Sequence, residues 1–309
     1  MNDSEVPYIS VLITAYDRKE FLLNAIKSVV NQTLEKKYYE IIVVKNFNDD
    51  LVDDFIEHNN ISNIYSCDTT LSGKLVEALN IARGTVISFL EDDDQFISNK
   101  LQIVYNKFKS KNVVYYDNDQ VTINEKYNRF YNKSNKGIAF NMSSISVKKS
   151  ILNLNYLKKV NLNYALDYFM YLSALESGQN IIRGKDKLTY YMVHNSASNV
   201  YTDDINEFIK RKTSLAELDI STFLMFHRMF ISTKAKNFIT QKIANDEIDR
   251  YIYGNNKKPE NALNIFKKGE RTFSVRLEIY ILYLIVRIHY NFRYNIIKKL
   301  FIENKKRFY

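Results

Sequence analysis

The chain has 309 residues, 46% of them apolar, enough for one large α/β domain with an appendage, and this excludes a disordered protein. Its net charge of +9 is unevenly spread: residues 271–309 carry nine Lys/Arg against only Glu278 and Glu303, which points to attraction between this end and an anionic surface. The single cysteine, Cys67, excludes an internal disulfide framework and any cysteine-based zinc site, and it suits a reducing, cytoplasmic compartment.

Residues 8–16 form a near-continuous apolar strand. A polar turn at 17–20 then opens a helix to about residue 33, on which Leu22, Leu23, Ile26, Val29 and Val30 recur at helical spacing. A second buried strand, 40–44, ends in a polar loop at 45–50 that opens another helix, and 64–66 is a short third strand. Glycines 73 and 84 bound a further helix, which leads into the β-branched and aromatic strand 86–90. This alternation means a parallel sheet with right-handed crossovers. Ligands on such sheets bind beyond the carboxyl ends of the strands, where 14–17, 45–50 and 91–94 converge.

The strand at 86–90 runs straight into four carboxylates, Glu91, Asp92, Asp93 and Asp94. Like charges at the mouth of a buried strand repel one another and resist desolvation. Two readings follow: a solvated acidic turn capping the next helix at 98–107, or a site for a hard divalent cation, Mg²⁺ or Mn²⁺, that leaves positions open for phosphates.

Three pieces now stand in order: residues 10–18, with Thr14, Ala15, Tyr16 and Asp17; residues 40–44; and residues 82–96, followed by Lys100 and Leu101. Together they resemble the N-terminal half of a family 2 glycosyltransferase. The resemblance implies the A-type glycosyltransferase fold, a mostly parallel Rossmann-like α/β sheet flanked by helices. It also implies a UDP- or GDP-sugar donor bound by Thr14, Ala15, Tyr16 and Asp17, and a DxD-like motif for the ribose and a divalent metal. On this alignment Glu91 and Asp92 orient the donor, and Asp93 is the metal ligand with Asp94 as a second candidate. The chain departs from the pattern after the second strand, where an acidic pair usually receives the base and Lys45, Asn46 and Phe47 stand instead. Asn46 can still hydrogen-bond a base edge. Lys74 is either a phosphate-reaching point charge or an ordinary lysine near a helix start.

After residue 101 a helix runs to about 110, and 112–117 reads as a strand. The polar stretch 118–137 is expected to form a hairpin or a loop beside the site, and 139–150 matches the strand floor of the acceptor side in the resemblance. Asp167 opens a strongly apolar helix, where a lone carboxylate is commonly just a cap. The resemblance instead makes Asp167 the general base of an inverting transfer, with Leu166 in place of a customary glutamate. His194 ends a short strand at 188–194. By resemblance it completes the metal site or contacts the diphosphate; by itself it is equally a surface histidine.

From about residue 202 the texture is helical, with candidates at 204–217, 221–238, 246–253, 261–268 and 272–290. The apolar run 279–286 is too short to span a bilayer. It packs on the catalytic domain or a second subunit, as in a homodimer, or lies on a membrane; the basic, aromatic end 291–309 favours the membrane. Residues 1–200 are thus expected to form the catalytic domain, 1–110 the donor half and 111–200 the acceptor half, with 201–309 a basic helical extension. The polar, acidic start lacks the features of a secretory signal.

The expected function is a metal-dependent, inverting sugar transfer from a nucleoside-diphosphate donor to a hydroxyl of a glycan or lipid-linked acceptor, at the cytoplasmic face of a membrane with peripheral contact through the basic end. The competing readings are a binding protein on a decayed transferase fold and a nucleotidyltransferase, though no glycine-rich loop follows the first strand. Nucleic-acid binding through the basic tail is the weakest of them.

Overall fold

The computed structural model of the chain describes residues 6–16, 19–110, 112–124, 129–131, 141–193, 202–254, 257–267, 273–289 and 292–305. Runs of Ile, Val and Leu make β1 (Ile9–Thr14), whose six side chains are all buried. After α1 (Lys19–Val30) comes β2 (Tyr39–Lys45), then α2 (Asp50–His58), β3 (Ser62–Tyr65) and α3 (Leu71–Ile81). β4 (Val86–Glu91) leads through the short β5 (Gln95–Phe96) to α4 (Lys100–Ser110). β6 (Val113–Asn124) and β7 (Arg129–Tyr131) pair with one another, and β8 (Ile145–Lys148), α5 (Leu154–Val160), α6 (Leu166–Ser177) and β9 (Asn180–Val193) follow.

These strands join in one sheet in the order β3-β2-β1-β4-β8-β6-β9-β5. The β3-β2-β1-β4 part is parallel, as the helical crossovers require. It continues through antiparallel pairs of β8 with β4 and with β6, while β5 pairs antiparallel to β9. Thr14 lies in register with both Val44 and Glu91, so the carboxyl ends of the three central parallel strands are level. On α1, Leu22, Ala25, Ile26 and Val29 recur at helical spacing and bury against the sheet core.

Several expected elements are longer in the structure than their local signals. β9 starts at Asn180, because its outer residues pair with the sheet although its sequence there is polar. The stretch expected as a hairpin or loop is strand as far as residue 124 and again at 129–131.

Contacts divide the chain into this α/β unit, ending near Met192, and a second, helical unit. The second unit has α7 (Ile205–Met229), α8 (Thr233–Tyr253), a 3₁₀ turn at Ala262–Phe266, α9 (Phe273–Ile288) and α10 (Arg293–Lys305). The sequence reading split 204–253 into three helices; there are two, and the break falls at 230–232, where the Ser232 hydroxyl caps α8 by accepting from Ala235 N at 3.3 Å. Asp219 and Lys242, which fall between the expected helices, are paired instead: Lys242 Nζ, buried, binds Asp219 at 2.9 Å and Asp246 at 2.7 Å. With no Gly or Pro between 205 and 253, nothing else interrupts the helices. Phe208 centres this unit's core, with Tyr253 and Phe301 rings 5.7 and 5.3 Å away. No helix among the described residues is long and apolar enough to cross a membrane.

Two glycines are required for different reasons. A Cβ on Gly84 would lie 2.5 Å from the Ser10 backbone nitrogen, at the point where Gly84 N donates to the Ser10 hydroxyl and β4 enters the sheet. Gly178 closes α6 at φ 69° with open space around it. Gly84→Ala is expected to destabilise the chain by about 1–3 kcal/mol through overpacking, and Gly178→Ala by about 1 kcal/mol through backbone strain alone. Urea denaturation of both variants checks the two values.

Candidate active site

The level strand ends open into a cavity of about 370 Å³. Six residues expected at the donor site line it: Thr14, Ala15, Tyr16, Lys74, Glu91 and Asp92. Thr69, Leu71 and Asn163 complete the wall and were not anticipated, because no local pattern distinguishes them from ordinary loop residues. Asn46 is half-buried beyond the lining, while Asp17 and His194 lie outside the described residues.

Asp92 is buried, and its carboxylate accepts from Tyr16 N at 3.2 Å, which joins the loop after β1 to the loop after β4. On the opposite wall the first turn of α3 is set by Asp68, which accepts from Thr70 N at 2.8 Å and Thr70 Oγ1 at 2.7 Å. These bonds, Thr70's hydroxyl first, hold the Asp68 carboxyl below its ordinary pKa. Thr70 Oγ1 in turn accepts from Gly73 N at 3.1 Å as the helix cap. Lys74 is buried; its Nζ donates to Asp68 O at 2.5 Å and lies 5.0 Å from the centre of the Tyr16 ring. The cavity therefore carries a cation and a helix N-terminus on one wall and carboxylates on the other.

The loop before α6 is stitched to the same turn. Asn163 Oδ1 accepts from Leu71 N at 2.8 Å, and Ser72 and Leu162 exchange two bonds of 2.9 Å. Ala165 then takes a left-handed conformation, φ 60° and ψ 19°, directly ahead of α6. For a residue with a Cβ this is strained backbone, held here at the turn that presents Asp167. Asp167 Oδ1 accepts from Tyr168 N at 2.8 Å, and Leu166 beside it is buried in the core.

The charges converge. Glu91's pKa is pushed well above the carboxylate range, by burial first and then by Asp94, Asp93, Asp167 and Asp92 in turn. The proposed base and the acidic run, 76 positions apart from Glu91 to Asp167, thus share one electrostatic field. Asp94 is pushed up to about 7 by burial and by Asp93. Its oxygens are engaged by protein: Met192 N donates at 2.9 Å and Asn141 Nδ2 at 3.3 Å, and the Ser143 hydroxyl, which accepts from Glu91 N at 3.0 Å, also bonds it.

Lys100 lies fully buried behind this run. Its Nζ donates to Ser143 O and to Thr189 Oγ1 at 3.1 Å, and sits 3.9 Å from the centre of the Phe96 ring. Burial pushes the ammonium well below its ordinary pKa, against the pull of Asp94 and Asp117. Lys100 is thus a buried amine anchored on Ser143 and Thr189 behind the acidic turn, a position that no sequence spacing announces.

Residues 10–175, more than half of the chain, match the profile of the family described as Glycosyl transferase family 2. The chain belongs to glycosyltransferase family 2. It is 25% identical over 222 residues, 69% of this chain and 87% of the relative, to the UDP-Glc:alpha-D-GlcNAc-diphosphoundecaprenol beta-1,3-glucosyltransferase WfaP of Escherichia coli. Solved structures share its fold at low identity. Residues 1–349 of S. aureus TarS, in complex with UDP-GlcNAc, match with TM-score 0.53 and 14% identity over 84% of this chain and 76% of that one. The mannosyltransferase PcManGT of Pyrobaculum calidifontis, in complex with GDP-Man and Mn²⁺, matches with TM-score 0.51 and 11% identity over 81% and 76%. The architecture is therefore the A-type glycosyltransferase fold.

In this family 2 glycosyltransferase the unusual Lys45 does not face a ligand. It is buried, its Nζ donating to Phe47 O at 2.7 Å and pairing with Asp53 of α2 at 2.8 Å, and Phe47 is buried as well. The departure from the acidic pattern is absorbed inside the protein. Among the described residues no three His, Cys, Asp or Glu side chains converge as a metal cluster. Mg²⁺ and Mn²⁺ commonly take one or two carboxylates and fill their shell with water and substrate phosphate, and a Glu91 held toward neutrality by its acidic neighbours fits a position awaiting positive charge.

The raised Asp94 has a consequence for stability. Its folded-state value of about 7 exceeds the ordinary aspartate value of 3.8, so the native state holds a proton that the unfolded chain releases, and this contribution is present below about 3.8 and lost as pH rises through about 7. In EDTA, wild type is expected to lose melting temperature relative to Asp94→Asn as pH is raised across that window. Calorimetry of both proteins at a series of pH values checks the sign.

Proposed function

We propose that the chain transfers a hexose, with inversion, from a nucleoside-diphosphate donor, UDP-hexose foremost, to a hydroxyl of a lipid-linked glycan. The observation that carries this reading is that the loop leading to Asp167 is bonded to the first turn of α3, through Asn163–Leu71 and Leu162–Ser72, beside a cavity that presents Lys74, Glu91 and Asp92. The E. coli relative, whose name specifies UDP-Glc and a diphosphoundecaprenol-linked acceptor, supports the choice of donor and acceptor classes. Residues 1–200 act as the catalytic domain on this reading, 1–110 holding the donor and 111–200 the acceptor, with 201–309 an extension. The site works at the cytoplasmic face of a membrane, to which the protein is peripheral.

The chemistry divides among the residues as follows. Thr14, Ala15, Tyr16 and Asp92 seat the nucleoside, a role to which the family resemblance adds Asp17 and Asn46, and Lys74 and the first turn of α3 face the diphosphate. Asp93 and Glu91 would hold Mg²⁺ or Mn²⁺, His194 completing the set. Such an ion, when bound, neutralises charge on the diphosphate leaving group. Asp167 takes the proton from the acceptor hydroxyl as that oxygen bonds to the anomeric carbon, and the bond from that carbon to the diphosphate oxygen breaks with its electron pair leaving on the diphosphate. Asp94, committed to Met192 and Asn141, keeps the acidic turn in place.

Binding and chemistry are separable by variant. UDP with Mn²⁺ is expected to raise the melting temperature of wild type but not of Asp93→Ala, since a ligand stabilises only the state that binds it. Asp167→Asn is expected to keep that shift while its kcat for transfer falls by about 10²–10⁴-fold. A thermal-shift screen of UDP and GDP, followed by sugar-transfer kinetics, checks both; no shift with either nucleotide, or an active Asp167→Asn, overturns the assignment.

A further inference from the structure

The sequence reading assigned membrane contact to the basic end 291–309. In the structure the described part of that end is a folded part of the helical unit: Ile297 and Phe301 of α10 are buried in its core, and Arg293 Nε donates to Ile252 O at 2.8 Å. Among the exposed apolar side chains of this unit, those of α9 form a row. Leu277, Ile281, Ile285 and Ile288 are exposed, the last at 70%, and steps of four, four and three residues put them on one face of the helix. Phe273, four residues before Leu277, extends the row at the helix start. The opposite face is the one that packs, through Tyr283 and Val286.

Scattered apolar residues on a surface are ordinary; a continuous row along a four-turn helix is an interaction surface. Charge identifies its partner. Glu278 and Glu303 are the only acids in 271–309, against nine basic residues. Arg276 and Arg293 donate to backbone carbonyl oxygens, while Arg287, Lys298 and Lys299 are exposed. Lys298, Lys299 and Ile302 also line an open groove of about 420 Å³ on α10. An apolar row within a basic segment, on helices too short and too polar to span, matches an anionic bilayer surface: apolar side chains enter the acyl boundary and cations meet the headgroups.

We propose that the exposed face of α9, with the lysines of α10, is an interfacial membrane-docking surface for anionic lipid. The proposal rests on the lipid-linked acceptor reading for its purpose, since such an acceptor is met only at a bilayer.

The experiment is co-sedimentation of the full chain with phosphatidylcholine vesicles, with and without phosphatidylglycerol. Wild type is expected to bind the phosphatidylglycerol vesicles and to prefer them over neutral ones. Ile281→Glu/Ile285→Glu is expected to lose about 10-fold or more in partitioning, because two side chains no longer enter the apolar layer. Lys298→Glu/Lys299→Glu is expected to lose the preference for anionic vesicles. Both pairs are exposed, so circular dichroism and the UDP–Mn²⁺ thermal shift should match wild type, and this control separates failure of docking from failure of the donor reading. Wild type that ignores both vesicles, or an Ile281→Glu/Ile285→Glu protein that binds as well as wild type, overturns the proposal. So does a wild-type dimer in sedimentation velocity that this variant converts to monomer, since the face would then belong to a second copy of the chain.

Discussion

Everything at the site depends on how the chain holds four adjacent carboxylates at the end of a buried strand. Left to themselves these charges would repel and demand water. The protein answers locally and from behind. Asp92 is held by the Tyr16 amide, Asp94 by Met192 N, Asn141 and Ser143, and the amine of Lys100 is buried behind the run. Burial and then their acidic neighbours drive Glu91 and Asp94 toward their protonated forms, Asp94 and Asp93 acting on Glu91 and Asp93 acting on Asp94. A nearby positive charge would relieve this repulsion.

The second constraint is the alignment of elements that are distant in sequence. The register that sets Thr14 beside Glu91 brings the loops after β1 and β4 to one level. The bonds between Ser72 and Leu162, and from Leu71 N to Asn163, then tie the first turn of α3 to the turn that precedes Asp167. Residues of the cavity wall and the loop that precedes Asp167 are therefore fixed to the same short helix turn, through one backbone–backbone bond and two bonds from backbone amides to side-chain oxygens. The left-handed Ala165 sits at this junction, where backbone strain is sustained by the surrounding bonds.

The helical unit is organised by the opposite economy of charge. Lys242 and Asp246 are buried and paired, with the half-buried Asp219 as a second partner of the lysine, and aromatic rings pack around Phe208. Charged residues of α8 are thus buried while an apolar row of α9 points outward. That inversion of the usual arrangement is what makes the outer face of α9 a surface in search of a partner.

The sequence by itself determined the strand–helix alternation, the family resemblance and the acidic turn, because apolar periodicity and a run of like charges are local properties. Thr14, Ala15, Tyr16, Glu91 and Asp92 were legible for the same reason: each ends or directly follows a strand whose run of β-branched residues announces it. Only the tertiary structure decided that Lys45 turns inward to Asp53, that Lys100 lies behind the carboxylates, and that Asn163 joins the cavity wall. It also decided that residues 204–253 form two helices and that α10 packs its apolar side inward while α9 leaves a row exposed. These depend on partners tens of residues away, and burial of a charge or exposure of an apolar face is settled by what the rest of the fold places against it.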